Sequence, residues 1–302
     1  MMNQKLTSYN KSTAVKLFEG ERVLVWIGLL GFVLAAACGI WVLLYGGATS
    51  PDGDVSRAIS FDAALGIFLI STAAISPLSG MSSKRRAFFR WTFIILALYC
   101  YGAETIQNFR GVNPRFVNAG SFFDHFVANG FGLVAILLVI IYISFSIPFF
   151  RPKASQTRPE IVLAIRYALL ATMLSFAAGI WISVNQSRFT GLEGNLIWLH
   201  GLGFHGLQVL PVIAWLTEHS TITIAIRRKV IHLSGILYFL GVIFIGWQTA
   251  LGKSIWEWSW LPSLACGCFI ITIVIGAIVL YQAKHILSPA YWQRVGNRDV
   301  AS

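Results

Sequence analysis

A chain of 302 residues that is 56% hydrophobic and only 12% charged is not an ordinary soluble domain, which carries about twice that charged fraction. Its net charge of +11 need not mean nucleic acid, because lysines and arginines held on the cytoplasmic side of a membrane give the same excess. The four cysteines, Cys38, Cys100, Cys266 and Cys268, stand in apolar segments at spacings that suit neither a zinc framework nor a CxxC pair. They read as small core residues.

Residues 1–22 form a polar, basic segment. The apolar run that follows, Val23–Tyr45, is too long for a signal-peptide core and reads as a first span. Seven more windows have the length and apolarity to cross a bilayer as helices: Phe61–Leu78, Ala87–Thr105, Phe122–Ile147, Ile161–Val184, Leu196–Leu216, Val230–Gln248 and Leu261–Ala283. The connections are short. The expected class is therefore all-α: an integral membrane helical bundle of about eight transmembrane helices over 23–283, with a polar tail, 284–302.

The basic residues give the orientation. Lys5, Lys11, Lys16, Arg22, Lys84, Arg85, Arg86, Arg90, Arg151, Lys153, Arg158, Arg166, Arg227, Arg228, Lys229, Lys284, Arg294 and Arg298 all fall on one side of that topology. Only Arg57, Arg110, Arg115, Arg188 and Lys253 fall on the other. The positive-inside rule then places both termini in the cytoplasm. Trp256, Trp258 and Trp260, in the last outer connection, suit the membrane–water interface.

Polar residues gather in the outer half of four consecutive spans. Glu104 and Gln107 stand at the outer end of span three, with Asn108 and Arg110 following. Asp124, His125 and Asn129 open span four, Asn185 and Arg188 close span five, and His200, His205 and Gln208 lie in span six. Ionisable groups at such depth cost several kcal/mol unless they face a cavity or a partner, which makes function the default hypothesis. His219, His232 and His285 fall near the basic, cytoplasmic loops.

On a helical wheel, His200, Gln208 and His205 share a mixed polar and aromatic face of span six, and the opposite face is apolar with gaps at Gly203, Gly206 and Ala214. The polar face is expected to look into the bundle or a cavity, and the apolar one towards lipid or a close neighbour. The two imidazoles stand about 140° apart, which suits two different partners better than one shared ion. A short internal likeness pairs "QNFRG" (Gln107–Gly111) and the later His125 with "NQSRF" (Asn185–Phe189) and the later His200. It suggests a duplicated hairpin with matched amide, Arg and His groups.

The stretch HGLGFHGLQVLP, His200 to Pro211, resembles a His-Gly-x-Gly-x-His-x-x-Gln-x-x-Pro motif of uncharacterised bacterial multi-pass membrane proteins. ETIQNFRGVNPRF, Glu104 to Phe116, is similar to a segment in some of them. The resemblance implies a bacterial plasma membrane as the location and brings no activity, cofactor or partner with it.

Three readings stay open. His125, His200 and His205 can ligate a transition metal or haem, with Glu104 or Asp124 as a carboxylate partner. Alternatively, the chain is a transporter or binding protein for a small polar or anionic solute. In that case Gln107, Asn129, Asn185 and Gln208 line a polar pocket, and Arg110, Arg115 and Arg188 stand at its outer mouth. In the third reading the polar residues only join helices, each bond worth about 0.6–2 kcal/mol. No HExxH zinc helix and no GxSxG nucleophile elbow occurs. The expected surroundings are lipid, with a small-molecule or lipid ligand and no nucleic acid; reaction and oligomeric state are not written in the sequence.

Overall fold

The computed structural model describes residues 15–117 and 120–284. It divides into two compact units, Met1–Arg158 and Pro159–Ser302. The first contains α1 (Arg22–Tyr45), β1 (Ala48–Thr49), β2 (Gly53–Asp54), α2 (Val55–Ile75), α3 (Ser83–Phe109) and α4 (Phe122–Ser146). Short 3-10 turns over Ser76–Ser79, Ile147–Phe150 and Pro152–Gln156 end α2 and α4. The second contains α5 (Pro159–Asn185), β3 (Phe189–Thr190), β4 (Gly194–Asn195), α6 (Leu196–Glu218), α7 (Ile224–Ala250) and α8 (Trp260–Gln282).

The protein is an all-α membrane helical bundle. Seven of its helices are long and apolar enough to cross a membrane. The remaining one, α3, is as long as α5 and α7 but is charged at both ends, with Arg85, Arg86 and Arg90 at one and Glu104 at the other. Burial runs opposite to that of a soluble bundle. Large apolar side chains such as Leu43, Ile95, Ile136 and Ile273 lie exposed along the helices, as expected where the solvent is hydrocarbon.

Each unit repeats one plan of helix, two-residue hairpin and three helices. A single constant shift in numbering carries Thr49 to Thr190, Gly53 to Gly194 and Asp54 to Asn195. The same shift carries the ends of α3, Ser83 and Phe109, to those of α7, Ile224 and Ala250. Asp54 caps α2 by accepting from the Ser56 amide, and Asn195 caps α6 by accepting from the Ile197 amide. Gly111 and Gly252, both at positive φ, turn the chain after α3 and α7, and their carbonyls accept from the Asp52 and Glu193 amides of the hairpins. The likeness expected between a hairpin of spans three and four and one of spans five and six is therefore corrected. The counterpart of Gln107 is Gln248 and that of Arg110 is Leu251, because the repeating unit has four helices.

Small residues set the tightest contacts. In the first unit, Gly28 of α1 and Gly66 of α2 meet so closely that a Cβ on either would press on the other's carbonyl. In the second, Gly203 and Gly206 of α6 seat against Ala171, Ser175 and Ala168 of α5. Such contacts hold membrane helices together where no hydrophobic force acts between them.

Two cysteine expectations need correction. Cys38 and Cys100 are buried core residues, but Cys266 is exposed and Cys268 only half-buried. His285, residues 1–14 and the tail from 285 onward lie outside the described residues.

Candidate functional site

In the first unit the polar residues concentrate where the hairpin, the C-terminus of α3 and the N-terminus of α4 meet. Glu104, one turn before the end of α3, is buried and ion-paired to Arg115, with Nη2 at 2.8 Å and Nε at 3.2 Å from Oε2. Arg115 is aimed there by a turn in which Asn113 Oδ1 accepts from the amides of Arg115 and Phe116. Its guanidinium lies over the rings of Phe61 and Phe131, 5.0 and 5.5 Å from their centroids. Asn108 donates to the Glu104 carbonyl at 2.8 Å and accepts from the Asp54 amide at 3.0 Å, which ties α3 to the hairpin.

A second network lies beside it. Gln107 donates to Asp124 Oδ1 at 3.1 Å and accepts from Arg110 at 2.7 Å, and Arg110 reaches Asp124 Oδ1 at 3.0 Å. Asp124 also closes a capping box with Ser121 at the start of α4. Gln107 belongs to the scaffold, since Gln248 stands at the equivalent place and ties the loop after α7 through Ser254 and Ser259. His125 and Asn129 share the exposed face of α4, and among the described residues neither side chain has a hydrogen bond.

In the second unit, His200 Nδ1 lies 2.7 Å from the Ser175 carbonyl, and the Ser175 hydroxyl donates to the His200 carbonyl at 2.7 Å. A carbonyl can only accept, so Nδ1 donates here. Gly179 leaves the space for this ring, since a Cβ there would come within 2.9 Å of its Cε1. Further along α6, His205 Nδ1 meets Gln208 Oε1 at 3.0 Å. His205 is exposed halfway along α6. Asn185 and Arg188 are exposed near the hairpin, with Arg188 over the ring of its neighbour Phe189.

The structure thus corrects the expected orientation of α6. The apolar face with Leu199, Gly203, Gly206, Leu210 and Ala214 is the buried one, and the face with His205 points outward. Glycines at Gly203 and Gly206 permit the closest approach, and that decides which face packs. The expected site residues also fall into two sets. Glu104, Gln107, Arg110, His125 and Asn129 belong to the first unit, and Asn185, Arg188, His200, His205 and Gln208 to the second. Among the described residues, no three His, Cys, Asp or Glu side chains gather as a metal would need. Glu104 is committed to Arg115, and Arg110 to Asp124 and Gln107.

Sequence reasoning missed Asp62. It lies on α2 and is wholly buried; Oδ2 accepts from the Thr105 hydroxyl at 2.9 Å, while Oδ1 has no partner among the described residues. The buried Tyr101 hydroxyl is also unpartnered. A lone carboxylate near the start of an otherwise apolar window was the available signal. Glu21 was missed as well: wholly buried at the other end of the unit, it pairs with Arg86 and Arg90, both at 3.2 Å, and accepts from Ser76.

The repeat supplies an internal control for all of these groups. Where the second unit has His200, His205 and Gln208, the first has Ile59, Ala64 and Ile67. Where the first has Asp62, Tyr101 and Glu104, the second has Gly203, Val242 and Ile245, all buried. Each unit closes the same scaffold without the other's polar set. Compared with known proteins, the chain matches no family model, no curated protein and no solved structure.

Proposed function

We propose that this multi-pass membrane protein holds a transition metal or haem through the imidazoles of α6, with His200 and His205 serving as separate ligands. The observation that carries the reading is that both rings meet a carbonyl-type oxygen through Nδ1. That is the usual state of a metal-bound histidine, whose second nitrogen is oriented by such a bond. The exposed His205 sits halfway along a membrane helix, where an imidazole facing bare lipid is unfavourable. Haem would suit the site because a single histidine can hold it and because aromatic rings such as Phe204 and Phe176 stand beside His200. Glu104 and His125 are not part of this ligand set.

Its lopsided basic residues support cytoplasmic termini, and the motif resemblance supports a bacterial plasma membrane. A reporter fused to either end should then read cytoplasmic. A second reading, a carrier for a small polar solute, is favoured by the duplicated four-helix unit, since many transporters are built from internal repeats.

The test is the visible absorption spectrum and metal content of protein purified in mild detergent. A Soret band or stoichiometric transition metal is expected, reduced in His200→Ala and in His205→Ala. A folded protein without either, after expression with added haem and metal, contradicts the proposal.

A further inference from the structure

We propose that Asp62 is a proton-binding site inside the first unit and carries its proton at neutral pH. The inference is independent of the α6 histidines.

The argument starts from a count of charge. Asp62 and Glu104 are two buried carboxylates, the first bonded to Thr105, the residue after Glu104 on α3, and one guanidinium, that of Arg115, is paired with Glu104. With both acids ionised, the cluster would hold one uncompensated negative charge in the membrane interior. With a proton on Asp62 it is neutral. Hydrogen bonding agrees with the count. A buried carboxylate needs several donors, and Asp62 receives only the Thr105 hydroxyl, its other oxygen having no partner. A neutral acid leaves one polar atom short of a bond, whereas an ionised one leaves a charge short of a counter-ion, and the second is far more costly.

The surroundings offer no other compensation. From α1, Cys38 and the Gly31 backbone face this region. From α3 come Cys100, Tyr101, Glu104 and Thr105, and from the following turn Arg115. The Tyr101 hydroxyl crowds the same point beside Gly31 as the Asp62 backbone carbonyl, so a second unpartnered oxygen stands close to the acid. Two spare oxygens are too few for a bound metal cation, which takes about six or more. One proton needs only one.

Structure alone does not demand the acid, since the equivalent position in the second unit is Gly203 and the equivalents of Tyr101 and Thr105 are Val242 and Gly246. An acid that the scaffold can do without, kept neutral in a membrane helix beside a fixed ion pair, is a site for taking up and releasing a proton.

Infrared spectroscopy of the full-length protein in lipid at neutral pH tests this. The carbonyl stretch of a protonated carboxylic acid is expected, moving when aspartate is labelled with carbon-13 and disappearing in Asp62→Asn. Asp62→Gly, which copies the other unit, gives the same reading if the first variant folds poorly. Absence of the band in the native protein overturns the proposal, as does a band that ignores aspartate labelling or survives in folded Asp62→Asn. Loss of the native band on adding sodium chloride at constant pH also overturns it, since Asp62 would then hold a cation.

Discussion

Glu104 and Arg115 are eleven residues apart in sequence and 2.8 Å apart in space. Glu104 was legible as an intramembrane carboxylate, but its partner was not, because the pairing depends on a turn held by Asn113. The consequence is thermodynamic. Arg115→Ala leaves a buried carboxylate unpaired and should cost about 3–5 kcal/mol, whereas removing the pair together should cost much less. Unit two already buries Ile245 at the equivalent position, so Glu104→Ile with Arg115→Ala is the informative double variant. Unfolding midpoints in detergent measure both. Equal losses for the single and double variants would show that the ion pair itself, and not the unpaired charge, dominates. Asp62 was missed for a related reason: hydropathy averages a single acid away, while burial and an unpartnered oxygen single it out.

At the scale of elements, the helices were readable from apolar windows, although the window opening at Phe61 leaves out residues 55–60 of α2. The two hairpins were not, since strands of two residues leave no alternating pattern. Their geometry rests on glycines. Gly111 has φ +77°, and a Cβ there would collide with the Ser50 carbonyl. Gly111→Ala should therefore cost about 1–3 kcal/mol through backbone strain and collision, and Gly252→Ala a similar amount because its turn is the same. Gly132→Ala is the control: nothing lies near its Cβ, and in a helix alanine gains up to about 1 kcal/mol over glycine. Thermal unfolding of the three variants checks the contrast, and a Gly111→Ala protein as stable as the native one would refute the strain argument. For α6 the wheel separated two faces correctly but could not say which one packs. That depended on which face lets α5 approach, and the small residues Gly203 and Gly206 decide it.

For the whole molecule, the membrane class was plain from composition, whereas the duplication was hidden. The two units share backbone hydrogen bonds and burial more than residue types: Gln107 and Gln248, Gly111 and Gly252, Arg86 and Arg227 persist, and most other positions differ. A short likeness at the ends of spans three and five was a chance match of amides and arginines. Once the units are aligned, the polar residues sort into those both units keep, which hold turns, and those that only one unit has. The central claim is that, within the second group, His200, His205 and Gln208 serve binding and not folding. Its most direct test places the first unit's residues on α6, as His200→Ile, His205→Ala and Gln208→Ile in one protein, and compares thermal unfolding and bound metal or haem with the native chain. The account predicts an unfolding midpoint close to native and a loss of the bound group. A protein that no longer folds, or one that folds and keeps its metal or haem, would contradict it.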